Sequence, residues 1–284
     1  MSIRIKLIGA LGVAVAVALT AISWIGDRAL GSGFARVERD IAQQISRRIT
    51  DGVRAEQRTL AKLTRLQSAW DDPYELAQNR DAAGFLDVYP PTDLADSLHV
   101  AALVVTSPSG QLIAGGTTSG GDAFGPLPAD LEASVAEFVA SDPAGRCGIW
   151  KADVPLIFCS NQLLHTDGTG PTTGTLTMFS PIDEVILDQL SSTIGFDVEL
   201  APGRLPAVTE ISGSTMRVAA RLGTVNSPAG TWLSTTSDRP VNRQAGATRS
   251  ALALALVVSM LALIAVVVLV VDRFVLARLR RTER

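Results

Sequence analysis

Few side chains in this 284-residue sequence have the chemistry to bond covalently, chelate or hold a charge in a pocket. Cys147 and Cys159 are the only cysteines, and they frame the segment Cys-Gly-Ile-Trp-Lys-Ala-Asp-Val-Pro-Leu-Ile-Phe-Cys. Two apolar runs around Ala152-Asp153-Val154 read as a hairpin. Centring the turn on Asp153 sets Lys151 opposite Pro155 and Cys147 opposite Cys159. Pro155 lacks an N–H, so its pair suits a non-hydrogen-bonded position, and the alternation of an antiparallel ladder makes 147/159 a pair of the same close kind. That spacing permits a disulfide; the plainer reading is two buried thiols. In this register Arg146, Trp150, Phe158 and Ser160 share one face, and Cys147, Ile149, Cys159 and Asn161 the other. Arg146 with Trp150 could anchor an anionic or aromatic ligand, since one offers a fork of donors and the other a flat apolar face. The alternative is an Arg stem lying over a core Trp.

Asp71 and Asp72 are paired carboxylates before Pro73, able to bind a cation or an amine, or simply to start a turn. Trp70 and Tyr74 stand four apart and on a helix would share a core-facing side. His99 and His165 are far apart and read as surface or loop residues. No H-E-x-x-H, C-x-x-C, G-x-x-x-x-G-K-[ST] or Gly-x-Ser-x-Gly occurs, so no metal site and no catalytic residue is assigned, and no cofactor is identified.

These residues need elements to position them. Phe34, Val37, Ile41, Ile45, Ile49, Val53, Leu60, Leu63 and Leu66 recur at helical steps, so a helix of about 54 Å is expected over 34–70. Its apolar stripe must be covered by its own domain or by a second copy in a parallel homodimer. Residues 31–33 (Gly-Ser-Gly), between the apolar run at 7–26 and that helix, could loosen the exit from the run, and residues 71–98 read as mixed and turn-rich. Val100–Thr106 and Leu112–Ala114 form a hairpin, followed by a flexible loop at 115–121. A helix runs to Val139, then come the cysteine hairpin, a strand at 174–179, a helix at 182–194 and three short strands at 196–200, 215–222 and 231–236.

Composition sets the surroundings. Leu7–Gly26 is 20 residues and Ser250–Val271 is 22, and neither contains a charge. Each is long enough for a transmembrane helix. The first exceeds a signal-peptide core and lacks a clean cleavage site, so it is read as an anchor. Arg4 and Lys6 precede it, and five arginines follow the second, which puts both ends in the cytoplasm and residues 27–249 outside. That segment holds 18 basic and 26 acidic residues, a net charge of −8, which argues against a nucleic-acid partner. Lipid headgroups are the natural partner of the terminal arginines, and an oxidising compartment suits the cysteine pair.

The combined pattern is α+β, an antiparallel sheet with helices. It suits a PAS- or Cache-like sensor core at about 99–195 behind the long helix, between two transmembrane helices. The strands at 196–240 either complete its surroundings or form a small second region. Phe34-x-x-Val37-Glu38-Arg39, Trp70-Asp71-Asp72-Pro73-Tyr74, Ala102–Thr106, Ser109–Leu112, Gly170–Met178 and Leu190–Gly195 together resemble the CHASE type 4 domain. Trp70, Asp71, Asp72 and Tyr74 carry the most specific part of the likeness. Leu66-Gln67-Ser68 departs from that family, which usually has Asp-Trp-Ala just before the W-D-D element. Residues 272–284 resemble the first turns of a HAMP linker. The resemblance implies an extracytoplasmic input module of a bacterial inner-membrane receptor. It would sense a small ligand or envelope signal and pass it to a kinase, cyclic-di-GMP or chemoreceptor output beyond these residues. The alternative is a membrane-anchored accessory or structural envelope protein that binds a partner protein.

Overall fold

The computed structural model describes residues 3–141, 145–206, 208–212 and 215–238, and parts of 250–269. The chain divides into two compact units. One comprises Met1–Ile41, Glu210–Met216 and Asp238–Arg284; the other comprises Ala42–Thr209 and Arg217–Ser237. Side chains in the expected span 7–26 lie almost entirely outside the described set, as do part of 250–271 and all of 272–284. Among the described residues, no helix is long and apolar enough to cross a membrane.

Helix α1 is Ile3–Ser68, 66 residues without a break. Residues 31–33 are helical within it, so no break separates the first apolar run from the long helix. A helix already nucleated on both sides propagates through isolated glycines at about 1 kcal/mol each. Ile45, Ile49, Val53 and Leu60 of the expected stripe are buried; Leu66 is turned out to solvent.

The turn-rich stretch is in fact three short helices: α2 (Asp71–Asn79), α3 (Ala82–Val88) and α4 (Pro91–Leu98). Its turn-forming residues punctuate these helices. Asp81 caps α3 by accepting from the Gly84 N–H at 3.0 Å, and Pro91 opens α4. Arg80 and His99 close α2 and α4 in the left-handed region, with φ of 55° and 53°.

Five strands follow: β1 (Ala102–Thr106), β2 (Leu112–Thr117), β3 (Cys147–Trp150), β4 (Leu156–Gln162) and β5 (Thr175–Pro181). They pair in the order β2-β1-β5-β4-β3, with every register antiparallel. The supposed loop at 115–121 begins inside β2. Gly115 sits at φ +111°, and a Cβ there would fall 2.1 Å from the Leu103 carbonyl oxygen, so this glycine serves a close crossing of two strands. Helix α5 (Ala129–Ser141) connects β2 to β3, and α6 (Glu184–Ile194) follows β5. The Asp183 carboxylate caps α6 by accepting from the Val185 and Ile186 N–H groups. A second sheet, in the order β6-β9-β8-β7, is built from β6 (Val198–Leu200), β7 (Val208–Ser212), β8 (Thr215–Leu222) and β9 (Thr231–Asp238). The strands after residue 195 are therefore a separate sheet, and β7 is an unanticipated member.

Candidate functional site

The hairpin pairs in the register that its turn implies: Cys147 faces Cys159 and Trp150 faces Leu156. The two sulfurs are joined as a disulfide, with Cα atoms 4.1 Å apart.

Residues directly opposite in a ladder project to the same side. Register therefore puts Ala102, Val104 and Thr106 of β1 on one face with Phe179, Thr177 and Thr175 of β5. Phe158 and Ser160 of β4 and Trp150 of β3 share it. Helix α5 covers one half of this face. Leu131 and Val135 pack there with Ala102, Val104, Trp150, Phe158 and Phe179, and the two phenyl rings lie 5.9 Å apart. Of the four residues expected at a ligand, Trp150 and Phe158 are thus core, 4% and 0% exposed. Ser160 is held locally: its hydroxyl accepts from the Arg146 N–H at 3.1 Å and donates to the Arg146 carbonyl. Arg146 is half-buried just ahead of β3.

The other half of the face is polar, and its residues come from strands distant in sequence. Thr106, Thr175 and Thr177 are all buried. A cleft of about 450 Å³ opens between the end of β1, the turn to β2 and α5. Val104, Thr106, Gln111, Leu112, Glu132 and Val135 are among its walls. Sequence reading missed this site, because its walls come together only where α5 lies against the end of β1 and the turn to β2.

The W-D-D-P-Y element forms a clasp. Trp70 is the extended residue before α2, not part of it, and is 46% exposed, so the shared core face expected with Tyr74 does not exist. Asp71 reaches the loop after β4. Its carboxylate bonds His165 Nδ1 at 2.8 Å and accepts from the Thr166 N–H and hydroxyl. Tyr74 is buried, its ring centroid 3.8 Å from that of His165, and its hydroxyl donates to the Pro171 carbonyl. Asn161 ties the same region to the end of α1 by donating to the Ser68 hydroxyl at 2.6 Å. Tyr89 donates to the Gln67 carbonyl, and burial and the nearby Asp72 raise its pKa. Asp167 in the loop accepts from the Thr169 N–H and hydroxyl, which lowers its own pKa. His99 pairs with Asp183 at 3.1 Å. Among the described residues, no group of three or more His, Cys, Asp or Glu could hold a metal ion.

Hydrogen bonds from His165 and then Thr166 hold the Asp71 carboxyl below its usual pKa. A depressed carboxylate stabilises the fold above its unfolded pKa of about 4, and that contribution is lost as pH falls through the folded value. The urea midpoint should therefore decline below about pH 4, and Asp71→Asn should flatten part of that decline while lowering the neutral-pH midpoint. An unchanged acid limb in the variant would remove Asp71 from the clasp.

Comparison with known proteins places the chain by sequence. The CHASE4 domain model matches residues 53–201. No curated protein matches the chain. Among solved structures it is similar to the periplasmic domain of Vibrio cholerae LuxQ, at 12% identity and TM-score 0.46, covering 69% of this chain and 97% of that one. It is also similar to the ligand-binding domain of the Campylobacter jejuni chemoreceptor Tlp3 in complex with L-valine, at 11% and 0.44, covering 75% and 97%. A third is the ligand-binding domain of the Pseudomonas aeruginosa PAO1 chemoreceptor PctC in complex with GABA, at 14% and 0.37, covering 71% and 97%.

Proposed function

The chain belongs to the CHASE4 domain family, a family of extracytoplasmic sensory input modules, and from that premise we propose that it reports a small ligand across a bacterial inner membrane. The family match over residues 53–201 carries this reading. In it, 7–26 and 250–271 are the two membrane spans, both termini are cytoplasmic, and 27–249 stands outside. The segment assigns itself no reaction; it biases a cytoplasmic output domain. The five-stranded sheet with a cleft beneath α5 supports this reading, because about 450 Å³ is within the range of small-molecule pockets. Ligand binding acts only through different affinities for two states of the domain.

A thermal-unfolding screen of the full chain in detergent against small metabolites and ions tests the proposal. Stabilisation by one chemical class is expected. Silence across the screen, with a protein that co-purifies stoichiometrically, would favour the accessory or structural envelope role.

The reading includes a parallel homodimer through α1. Arg47, Arg54, Arg58 and Arg65 are exposed at spacings of seven, four and seven, so they line one stripe of that helix. Like charges on facing parallel helices repel, so the seam lies off this stripe. Changing Arg47 and Arg58 to Glu should leave the sedimenting species unchanged; dissociation would put the seam on the stripe.

A further inference from the structure

One face of α1 carries charge of the opposite sign to the rest of its segment. Residues 44–66 hold six basic and two acidic side chains, a net charge of +4. The rest of residues 27–249 holds 12 basic and 24 acidic side chains, a net charge of −12. Arg47, Arg48, Arg54, Arg58, Lys62 and Arg65 are all exposed. The two acids offset them little. Glu56 is half-buried and accepts from Gln189 Nε2, which turns it toward α6. Asp51 pairs with Arg54 at 3.2 Å, the one ion pair of this face among the described residues. At about 100° per residue, Arg47, Arg54, Arg58 and Arg65 fall within about 40° of one another around the helix axis and extend over about 27 Å. Arg54 and Arg58 stand four apart, where like charges repel across one turn.

The positions between the cations limit what can dock here. Gln43, Gln44, Asp51, Ala55, Thr59 and Leu66 are the other exposed residues of 43–66, so only two of them are apolar. A protein partner buries an apolar core depleted of charge, and this face offers none. A linear polyanion needs no such core. It stays hydrated and exchanges its counterions for guanidinium groups, which grip sulfate, phosphate or carboxylate with paired hydrogen bonds. The acid-rich remainder of the segment repels such a chain elsewhere and confines it to the stripe. In the homodimer proposed above the seam lies off this stripe, which leaves it open. We propose that the basic stripe of α1 docks a linear acidic polysaccharide of the cell envelope, lying along the helix. The source of the polymer rests on the extracytoplasmic placement above. The binding itself is independent of any small ligand and is read in solution, where topology plays no part.

The test titrates the full chain in a nonionic detergent with dextran sulfate, with neutral dextran of equal length and with a short DNA duplex. Dextran sulfate should bind and neutral dextran should not. Between about 50 and 200 mM salt the affinity should fall roughly 50-fold, as four engaged charges imply. Changing Arg47, Arg54, Arg58 and Arg65 together to Gln should weaken dextran sulfate at least about tenfold. The unfolding midpoint should stay in place, because Gln is a good helix former at exposed positions. Lys151→Gln with Arg204→Gln, which removes two exposed cations off the stripe, should change the affinity little. Undiminished binding by the four-Gln variant would put the polymer on other cations, such as the arginines after residue 272, and overturn the proposal. An equal loss in the Lys151/Arg204 variant would show a net-charge effect only, and would overturn it too. Tighter binding of the duplex, lost in the four-Gln variant, would make the partner a nucleic acid instead. No binding of dextran sulfate at low salt would remove the docking site and leave the sensor reading untouched.

Discussion

Truncating Phe158 to Ala is expected to destabilise the sheet domain by about 3–5 kcal/mol, the range for emptying a large aromatic site in a packed core. Phe158 is fully buried, and its ring meets Phe179 across the β4–β5 ladder. Gly148 faces it from β3, where a Cβ would come within 2.7 Å of the ring, so that strand leaves room for the phenyl group by carrying no side chain. With Trp150 and Val135 around it, the ring joins the sheet to α5. The loss should appear as a lower urea midpoint with an unchanged slope, and Phe158→Leu should recover most of it. A cost below about 1 kcal/mol would mean that the space collapses easily and that α5 is not anchored there.

Replacing Cys147 and Cys159 with Ser should cost about 2.5–3 kcal/mol. The bond closes a 12-residue separation, and loop-closure entropy for a loop of that size gives this magnitude. Cys159 is 1% exposed whereas Cys147 faces solvent, so a small reductant can reach the bridge in the folded protein. Reductant should therefore lower the midpoint of the natural chain to that of the Ser/Ser variant and leave the variant unaffected. A natural chain indifferent to reductant would show that the hairpin holds its register without the bond.

How far the sequence spoke depended on how local each signal was. The hairpin register was legible because Pro155 and the turn at Asp153 fix it within a dozen residues, and the same register correctly grouped Trp150, Phe158 and Ser160 on one face. Long periodic runs likewise revealed α1, α5 and α6. Helices of seven to nine residues offer too few repeats to read, and the caps of α2 to α4 (Asp81, Arg80, Pro91 and His99) are the residues that elsewhere make turns. Gly115 looked like loop because a glycine demanded by a close strand crossing has the same letter as one that confers freedom. Trp70 was misjudged because i,i+4 spacing has meaning only inside a helix, and α2 begins one residue later. The polar half of the α5 face was invisible. Thr106 faces Thr175, and Thr177 faces Val104, only through the pairing of β1 with β5, and no local pattern encodes that register.

Protease digestion of intact bacterial spheroplasts expressing the full chain tests most directly the claim that the sheet domain stands outside the membrane. The exposed loop at 166–170 and the turn around Lys151 offer accessible cleavage sites. Cleavage there before the membrane is opened, with both terminal segments protected, is the predicted result. Cleavage of the loops only after lysis would put residues 27–249 inside and contradict the account.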